Sequence, residues 1–250
     1  MNENYLDIFV TSDPHGKLPI IKDQFDLLLM AGDICPAHDH YWDYQINWFQ
    51  HDFAKWVNSL PFKNEKSKIV IIPGNHDFFM ERVEDVHIKC FQITTNHRSI
   101  ILRNQEYDYE YDTEKGKKYL KIFGTPYCKI FYNWAFMLPD DKLKLAYSNI
   151  PDNCDILLTH DAPDINNLGL IQEGPYAGTN AGNKVLAEAI KEKKPKYCFC
   201  GHIHSGNHNL EKVNNTYMAN VSYINERYKP SYDILKMKIN KNTKKLEHDN

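Results

Sequence analysis

The sequence predicts an α/β fold with two mixed sheets, formed as one domain across residues 1–250. Two observations carry this. Short, unbroken apolar runs recur along the chain and stop abruptly at Asp, His, Gly or Pro, as strands buried on both faces do. Between several of them lie segments with apolar residues at helical spacing, and strands alternating with helices make an α/β core.

Taken in order, Leu6–Thr11 runs into Ser12-Asp13-Pro14-His15, and Leu27–Ala31 into Gly32-Asp33. Lys68–Ile72 ends at Pro73-Gly74-Asn75-His76-Asp77. Asp155–Thr159 ends at His160-Asp161, and Lys196–Cys200 at Gly201-His202-Ile203-His204. Helices are expected over Tyr44–Leu60, with Ile46, Phe49, Phe53, Trp56, Val57 and Leu60 on one face, and over Asn180–Lys193. Pro61 and Pro195 end them. A shorter helix is expected over Asp140–Tyr147, and Phe78–Val86 is also read as helical. Ser99–Gly124 reads as a meander with alternating Tyr107, Tyr109 and Tyr111 and a turn at Gly116. Glu211–Met218 and Ser231–Ile239 are strand-like, so antiparallel edges and two stacked sheets are expected. No linker or internal repeat divides the chain.

Composition narrows the class. Hydrophobic residues are 42% and charged residues 25%, which excludes disordered, collagen-like and disulfide-miniprotein chains. A net charge of −3 gives no surface for neutralising a phosphate backbone, so no nucleic-acid partner is expected. Six cysteines without a CxxC pair read as reduced core residues of a cytoplasmic protein, Cys198 and Cys200 among them. No basic leader precedes the first apolar run, and no apolar stretch reaches the roughly 20 residues that span a bilayer.

Ligands of open α/β sheets bind beyond the carboxyl ends of the strands. The five polar clusters all follow strands and are therefore expected to converge, bringing Asp, Asn and His together without a thiolate. Each cluster has a bland reading. Asp-x-His occurs twice, at Asp13/His15 and Asp85/His87, and the second lies in a polar helical stretch. His38, His40, His51, His97, His208 and His248 read as surface residues. Gly74-Asn75-His76-Asp77 and Gly201-His202-x-His204 are rare in a random chain of this composition. Imidazole, carboxylate and amide oxygen together suit Mn, Fe, Zn or Mg. Two such cations can lower the pKa of a shared water and clamp both oxygens of an in-line displacement at phosphorus.

Asp13-x-His15, Gly32-Asp33, Gly74-Asn75-His76-Asp77, His160 and Gly201-His202-x-His204, in this order, resemble the five signature blocks of the calcineurin-like metallophosphoesterases. Ser12-Asp13-Pro14-His15-Gly16, Asn133-Trp134-Ala135-Phe136 and Asn220-Val221-Ser222 are similar to the MPPED-type, class III cyclic-nucleotide-phosphodiesterase-like branch. The resemblance implies a four-layer α/β/β/α sandwich. It also implies a first metal on Asp13, His15, Asp33 and His204, and a second on Asp33, Asn75, His160 and His202. His76 would face the phosphate as the catalytic residue, and a hydroxide between the metals would be the nucleophile. Two divalent ions, Mn²⁺ first among them, are the expected cofactors, and a small phosphoester the expected partner.

A phosphodiesterase is therefore expected, with a phosphomonoesterase as the alternative and a metal-free scaffold as the remoter one. Protein phosphatases of the superfamily carry an Arg just after the Gly-Asp block; here Ile34-Cys35-Pro36-Ala37 follows. Asp161 departs from the Gly-Pro-Pro of closer relatives, and reads either as a cap of the next turn or as a residue orienting a ligand His. Asp77 carries the same two readings and is left out of the site. The segment Gly169–Gly182, with Tyr176, Gly178 and Asn180, is either a rim over the metals or a solvent loop. The lysines of Lys191–Lys196 complement a helix end.

Overall fold

The computed structural model describes residues 4–247. His248 lies outside the described residues. The first sheet has five strands in the order β13-β1-β2-β3-β4: β1 (Tyr5–Thr11), β2 (Leu27–Ala31), β3 (Lys68–Ile72), β4 (Ser99–Ile101) and β13 (Leu235–Asn240). The second has six in the order β11-β12-β10-β9-β6-β5: β5 (Gln105–Thr113), β6 (Gly116–Thr125), β9 (Ile156–Thr159), β10 (Tyr197–Cys200), β11 (Glu211–Val213) and β12 (Thr216–Asn220). Both sheets are parallel at their centres, and β13, β11 and β5 are antiparallel edges. A small parallel pair, β7 (Cys128–Lys129) and β8 (Met137–Leu138), stands apart.

Alternation along each strand builds three hydrophobic layers. Leu6, Ile8, Val10, Leu27, Leu29, Val70 and Ile72 meet Leu120, Ile122, Ile156, Leu158, Tyr197 and Phe199 between the sheets. The opposite-facing Phe9, Leu28, Met30, Ile69 and Ile71 pack under the helices α1 (Trp42–Trp48), α2 (Ala54–Ser59), α3 (Phe78–Arg82) and α4 (Asp85–Thr94). On the far side, Phe123, Leu157, Cys198 and Cys200 pack under α5 (Asp140–Ser148) and α6 (Lys184–Lys193). Cys198 and Cys200 are thus core residues, as expected. The result is the four-layer α/β/β/α sandwich.

Several segments differ from expectation. Phe78–Val86 is not one helix: α3 stops at Arg82, Val83 and Glu84 are extended, and α4 starts at Asp85. Glu211–Met218 is not one strand: it spans the β11–β12 hairpin, which turns at Asn214 and Asn215. Ser99–Gly124 is not one meander: β4 extends the first sheet beside β3, and only β5 and β6 form a hairpin, in the second sheet. Its Thr113↔Gly116 closure leaves two residues in the turn, and Gly116 takes φ +107°, open to glycine. The Tyr44–Leu60 helix contains a π-helical stretch, Phe49–Phe53, between α1 and α2. The Asn180–Lys193 helix begins at Lys184, because the Asn183 side chain accepts the Leu186 N–H at 3.0 Å and caps it.

Candidate metal centre

The loops leaving β1, β2, β3, β9 and β10 meet at one end of the sandwich and are strapped together by their own backbone. Asp13 N donates to Gly32 O at 2.9 Å, His15 N to Asp33 O at 3.0 Å, and Gly201 N to His160 O at 3.1 Å. The strand ends turn so sharply that Asp13, His15, Asp33 and His202 all hold positive φ, between 45° and 65°. Four non-glycine residues in that region within one cluster mark strain maintained for a purpose. The loops approach so closely that a Cβ on Gly74 would lie 2.3 Å from Asp33 Oδ1, and one on Gly201 2.2 Å from Asp13 Oδ2.

The seven predicted side chains all gather here. Ligand atoms of Asp13, His15 and His204 lie within 4.8 Å of one another, and so do those of Asp13, Asp33 and His160. Asn75 Oδ1 is 2.9 Å from His160 Nε2, and the His160 and His202 rings are 5.2 Å apart. Six of the seven are buried and His202 is half-buried. His160 donates Nδ1–H to the Ala31 carbonyl at 2.8 Å, and His204 donates Nδ1–H to the Asn225 carbonyl at 3.2 Å. Both rings therefore aim Nε2 at the acids, the orientation that a carbonyl accepting the other ring N–H imposes on a histidine that binds a metal.

The electrostatics are those of a cation site. Burial opposes charge on Asp13, but the His204 and His160 rings hold it below the usual carboxylate range. Asp33 is likewise pulled well down against its burial by His160, His76 and His15. Burial also works against a charged His160, yet Asp33 and Asp13 drive its pKa up to about 10, so the acids demand positive charge. Burial pushes His15 down to about 3 and lowers His202, leaving neutral imidazoles. Both ring nitrogens of His15 are buried without a hydrogen-bond partner, although Nε2 is 3.4 Å from Asp33 Oδ2. Ionised carboxylates that draw positive charge, the neutral imidazoles of His15 and His202, and the unpartnered His15 nitrogens fit divalent ions.

His76 stands beside these clusters. Its N–H donates to Asp33 Oδ1 at 2.7 Å, and its ring lies 4.8 Å from that of His15. Trp134 covers it at 4.3 Å. Tyr228 contacts the His15 and His204 rings at 5.0 and 5.4 Å.

A profile of the calcineurin-like phosphoesterases matches residues 6–206. The chain belongs to this family. Its reaction class is metal-dependent phosphoester hydrolysis. The chain is similar to the human metallophosphoesterase domain-containing protein 1, with 27% identity over 90% of this chain and 68% of that protein. It is also similar to a UPF0046 protein of Caenorhabditis elegans, at 26% identity over 92% of this chain and 80% of the relative. Among solved structures, Thermus thermophilus TT1561 superposes with a TM-score of 0.56 at 13% identity, covering 97% of both chains. The phosphopantetheinyl hydrolase of Mycobacterium tuberculosis gives 0.52 at 11% identity, over 90% of this chain and 92% of that one. These two likenesses concern the fold. The MPPED-type resemblance agrees with the human relative.

Several residues at this phosphoesterase site differ from their sequence reading. His40 is half-buried rather than on the surface, with Nε2 3.2 Å from His76 Nδ1. His208 is also half-buried, stacked on Tyr232 at 3.7 Å and 3.0 Å from the His204 carbonyl. His38, His51 and His97 are exposed, and Asp85/His87 lie in α4. Asp77 precedes α3 but does not cap it. Its carboxylate accepts N–H bonds from Ile34, Cys35 and Gly74 at 3.1, 2.8 and 2.8 Å, pinning two site loops. Asp161 does not cap the following turn: it accepts from Lys129 N at 2.9 Å and from Asn183 Nδ2 at 2.8 Å. Ser222 Oγ donates to Asp13 Oδ2 at 2.8 Å. A thiol does approach the cluster, for Cys128 lies with His160 and His202 within 4.8 Å. Burial pushes that thiol far up, so it stays protonated and donates to Pro126 O. The 172–180 segment is exposed, and at its base Gln172 N donates to Oγ of Ser205, the neighbour of His204, at 2.9 Å.

Proposed function

We propose that the chain is a two-metal phosphodiesterase for a small phosphodiester such as a cyclic nucleotide. The observation that carries this is the convergence of two ionised carboxylates, one amide and four imidazoles at five strand ends, with His76 beside them. In this reading Asp13, His15, Asp33 and His204 hold one divalent ion, and Asp33, Asn75, His160 and His202 the other. Mn²⁺ is the ion we favour, since the set is rich in hard oxygen and borderline nitrogen donors. Bound there, the ions would lower the pKa of water and offset charge on the phosphoryl oxygens.

The chain's own residues do the rest. Hydrolysis forms a P–O bond to water and breaks the bond to the leaving oxygen, with the water's proton passing to solvent. His76 is assigned to supply the leaving oxygen with a proton. Burial lowers its pKa, and the Asp33 carboxylate beside it acts in the opposite direction, favouring the protonated ring. Diester over monoester is supported by the arginines. Arg98 and Arg103 are bonded to carbonyls and acids elsewhere, and Arg82 faces Glu81. The remaining arginine, Arg227, is exposed, whereas a monoester dianion is best held by bidentate guanidinium groups. The six cysteines are free, in keeping with a reducing, cytoplasmic setting. Among the described residues no helix is long and apolar enough to cross a membrane. We take the whole chain as one domain whose partner is the phosphoester itself.

The test is an initial-rate comparison, with Mn²⁺ present, of a nitrophenyl phosphodiester and the matching monoester, with His76→Ala as control. The expected result is a diester preference of about tenfold or more in kcat/KM, equivalent to about 1.4 kcal/mol. Equal rates or a monoester preference would overturn the diesterase assignment.

A further inference from the structure

His40 belongs to none of the blocks that carry the family resemblance; it lies on the loop between β2 and α1. Its ring nevertheless sits against the ring assigned to chemistry. Its Nε2 is 3.2 Å from His76 Nδ1, and its ring is 5.1 Å from Phe78 and 5.3 Å from Trp134. His76 itself is held at the backbone from two sides. Its carbonyl accepts Gln45 Nε2 at 2.7 Å, its N–H donates to Asp33, and the buried Gln45 is fixed in turn by the Phe79 N–H at 3.1 Å. These contacts place the residue but leave its χ2 free, and an imidazole can occupy either of two flipped orientations about that bond. Trp134 at 34° and His15 at 83° contact the ring as a face and an edge, and neither shape contact distinguishes the two nitrogens. A polar partner at one nitrogen does.

We propose that His40 is the positioning residue of His76: by occupying Nδ1 it selects the ring flip that leaves Nε2 for the leaving oxygen. The inference rests on the phosphoesterase reading above and names how that site keeps its proton donor aligned. His40 is none of the residues assigned to the metals and, in this reading, acts through His76. Phe78 and Trp134 hold its ring in turn, so an exposed loop carries a fixed hydrogen-bond partner into the site.

Leaving-group dependence separates this role from a structural one, because a misaligned proton donor matters most when the departing oxygen is basic. The experiment uses the Mn²⁺-loaded full chain with two phosphodiesters, one with a nitrophenyl and one with an alkyl leaving group. His40→Ala is expected to keep bound Mn²⁺, melting temperature and KM. Its kcat on the alkyl ester should fall about 10- to 100-fold, part of the 10²–10⁴ that proton transfer supplies, and on the nitrophenyl ester only severalfold. His40→Gln, whose amide can still pair with Nδ1, should recover part of the loss. In a His76→Ala background His40→Ala should add nothing. Long-range ¹H–¹⁵N spectra should show the Nδ1 resonance of His76 shift in His40→Ala and return toward wild type in His40→Gln. Unchanged alkyl-ester turnover in His40→Ala, equal losses on both esters, or full additivity with His76→Ala overturns the inference. If His76→Ala is harmful while His40→Ala is silent, only the positioning role falls. If His76→Ala is itself silent, the role of His76 falls and this inference with it.

Discussion

Asp77 offers the sharpest test of how the site is held together. Its carboxylate is buried and takes three backbone N–H bonds: Oδ2 from Ile34 and Gly74, Oδ1 from Cys35. Replacing it by Ala strands three buried donors in the two loops that carry Asp33 and Asn75. Hydrogen bonds to a charged acceptor contribute about 1.5–3 kcal/mol each, and partial relaxation makes such losses less than additive. Asp77→Ala should therefore cost about 3–5 kcal/mol, a large share of the 5–15 typical of a folded protein. Asp77→Asn keeps one oxygen able to accept two of the bonds and removes a charge that Asp33 opposes, so about 1–3 kcal/mol is expected. Urea unfolding of chelator-treated protein at pH 8 measures both, with m unchanged. At that pH the carboxyl, pushed up to about 6 by burial and by Asp33, is ionised. Asp77→Ala within about 1 kcal/mol of wild type, or Asp77→Asn costing more than Asp77→Ala, would refute the reasoning.

Asn183 caps α6 through Oδ1 and anchors Asp161 through Nδ2. Asn183→Ala should cost about 2 kcal/mol, above the usual 1 for a cap alone, in thermal or urea unfolding. Away from the site, burial raises the Asp155 carboxyl, but Lys196 at 2.7 Å, Lys244 and the Lys121 N–H hold it below its ordinary 3.8. A lowered folded-state pKa adds stability that is present above the unfolded value and lost as pH falls through the folded one. The stability gap between wild type and Asp155→Asn should therefore close on acidification below about pH 4, and a gap that widens there would contradict the ion-pair account. Chelation should lower the melting temperature and Mn²⁺ restore it, by the linkage that binding to the folded state alone requires.

Much of the site was legible in the chain because of how a doubly buried strand must end. Leu27–Ala31 is buried at every position, so the first polar residues after it, Gly32 and Asp33, mark the strand's carboxyl end without ambiguity. The same reasoning places Asn75, His160 and His202. Residues that act across the sequence were not legible. Asp77 has the spacing of a helix cap, but its φ of −92° and ψ of 61° turn the carboxylate toward Ile34 and Cys35, contacts that no local pattern encodes. His40 lies in a loop and Cys128 in a two-residue strand, too short to show a pattern, and what they face is decided by segments more than 30 residues away, as the His40–His76 separation of 36 illustrates. The β4 strand misled for a related reason. Its three residues are too few to show periodicity, and the chain crosses between sheets in the three residues before β5.

The most direct test of the account is the metal stoichiometry of the folded chain. Chelator-treated protein titrated with Mn²⁺ should bind two ions per chain by calorimetry and elemental analysis. Asp33→Ala, which removes the carboxylate assigned to both, should keep at most one, weakly held. Two ions in wild type with that loss in Asp33→Ala is the predicted result; no bound metal in wild type, or two ions undisturbed by Asp33→Ala, would contradict it.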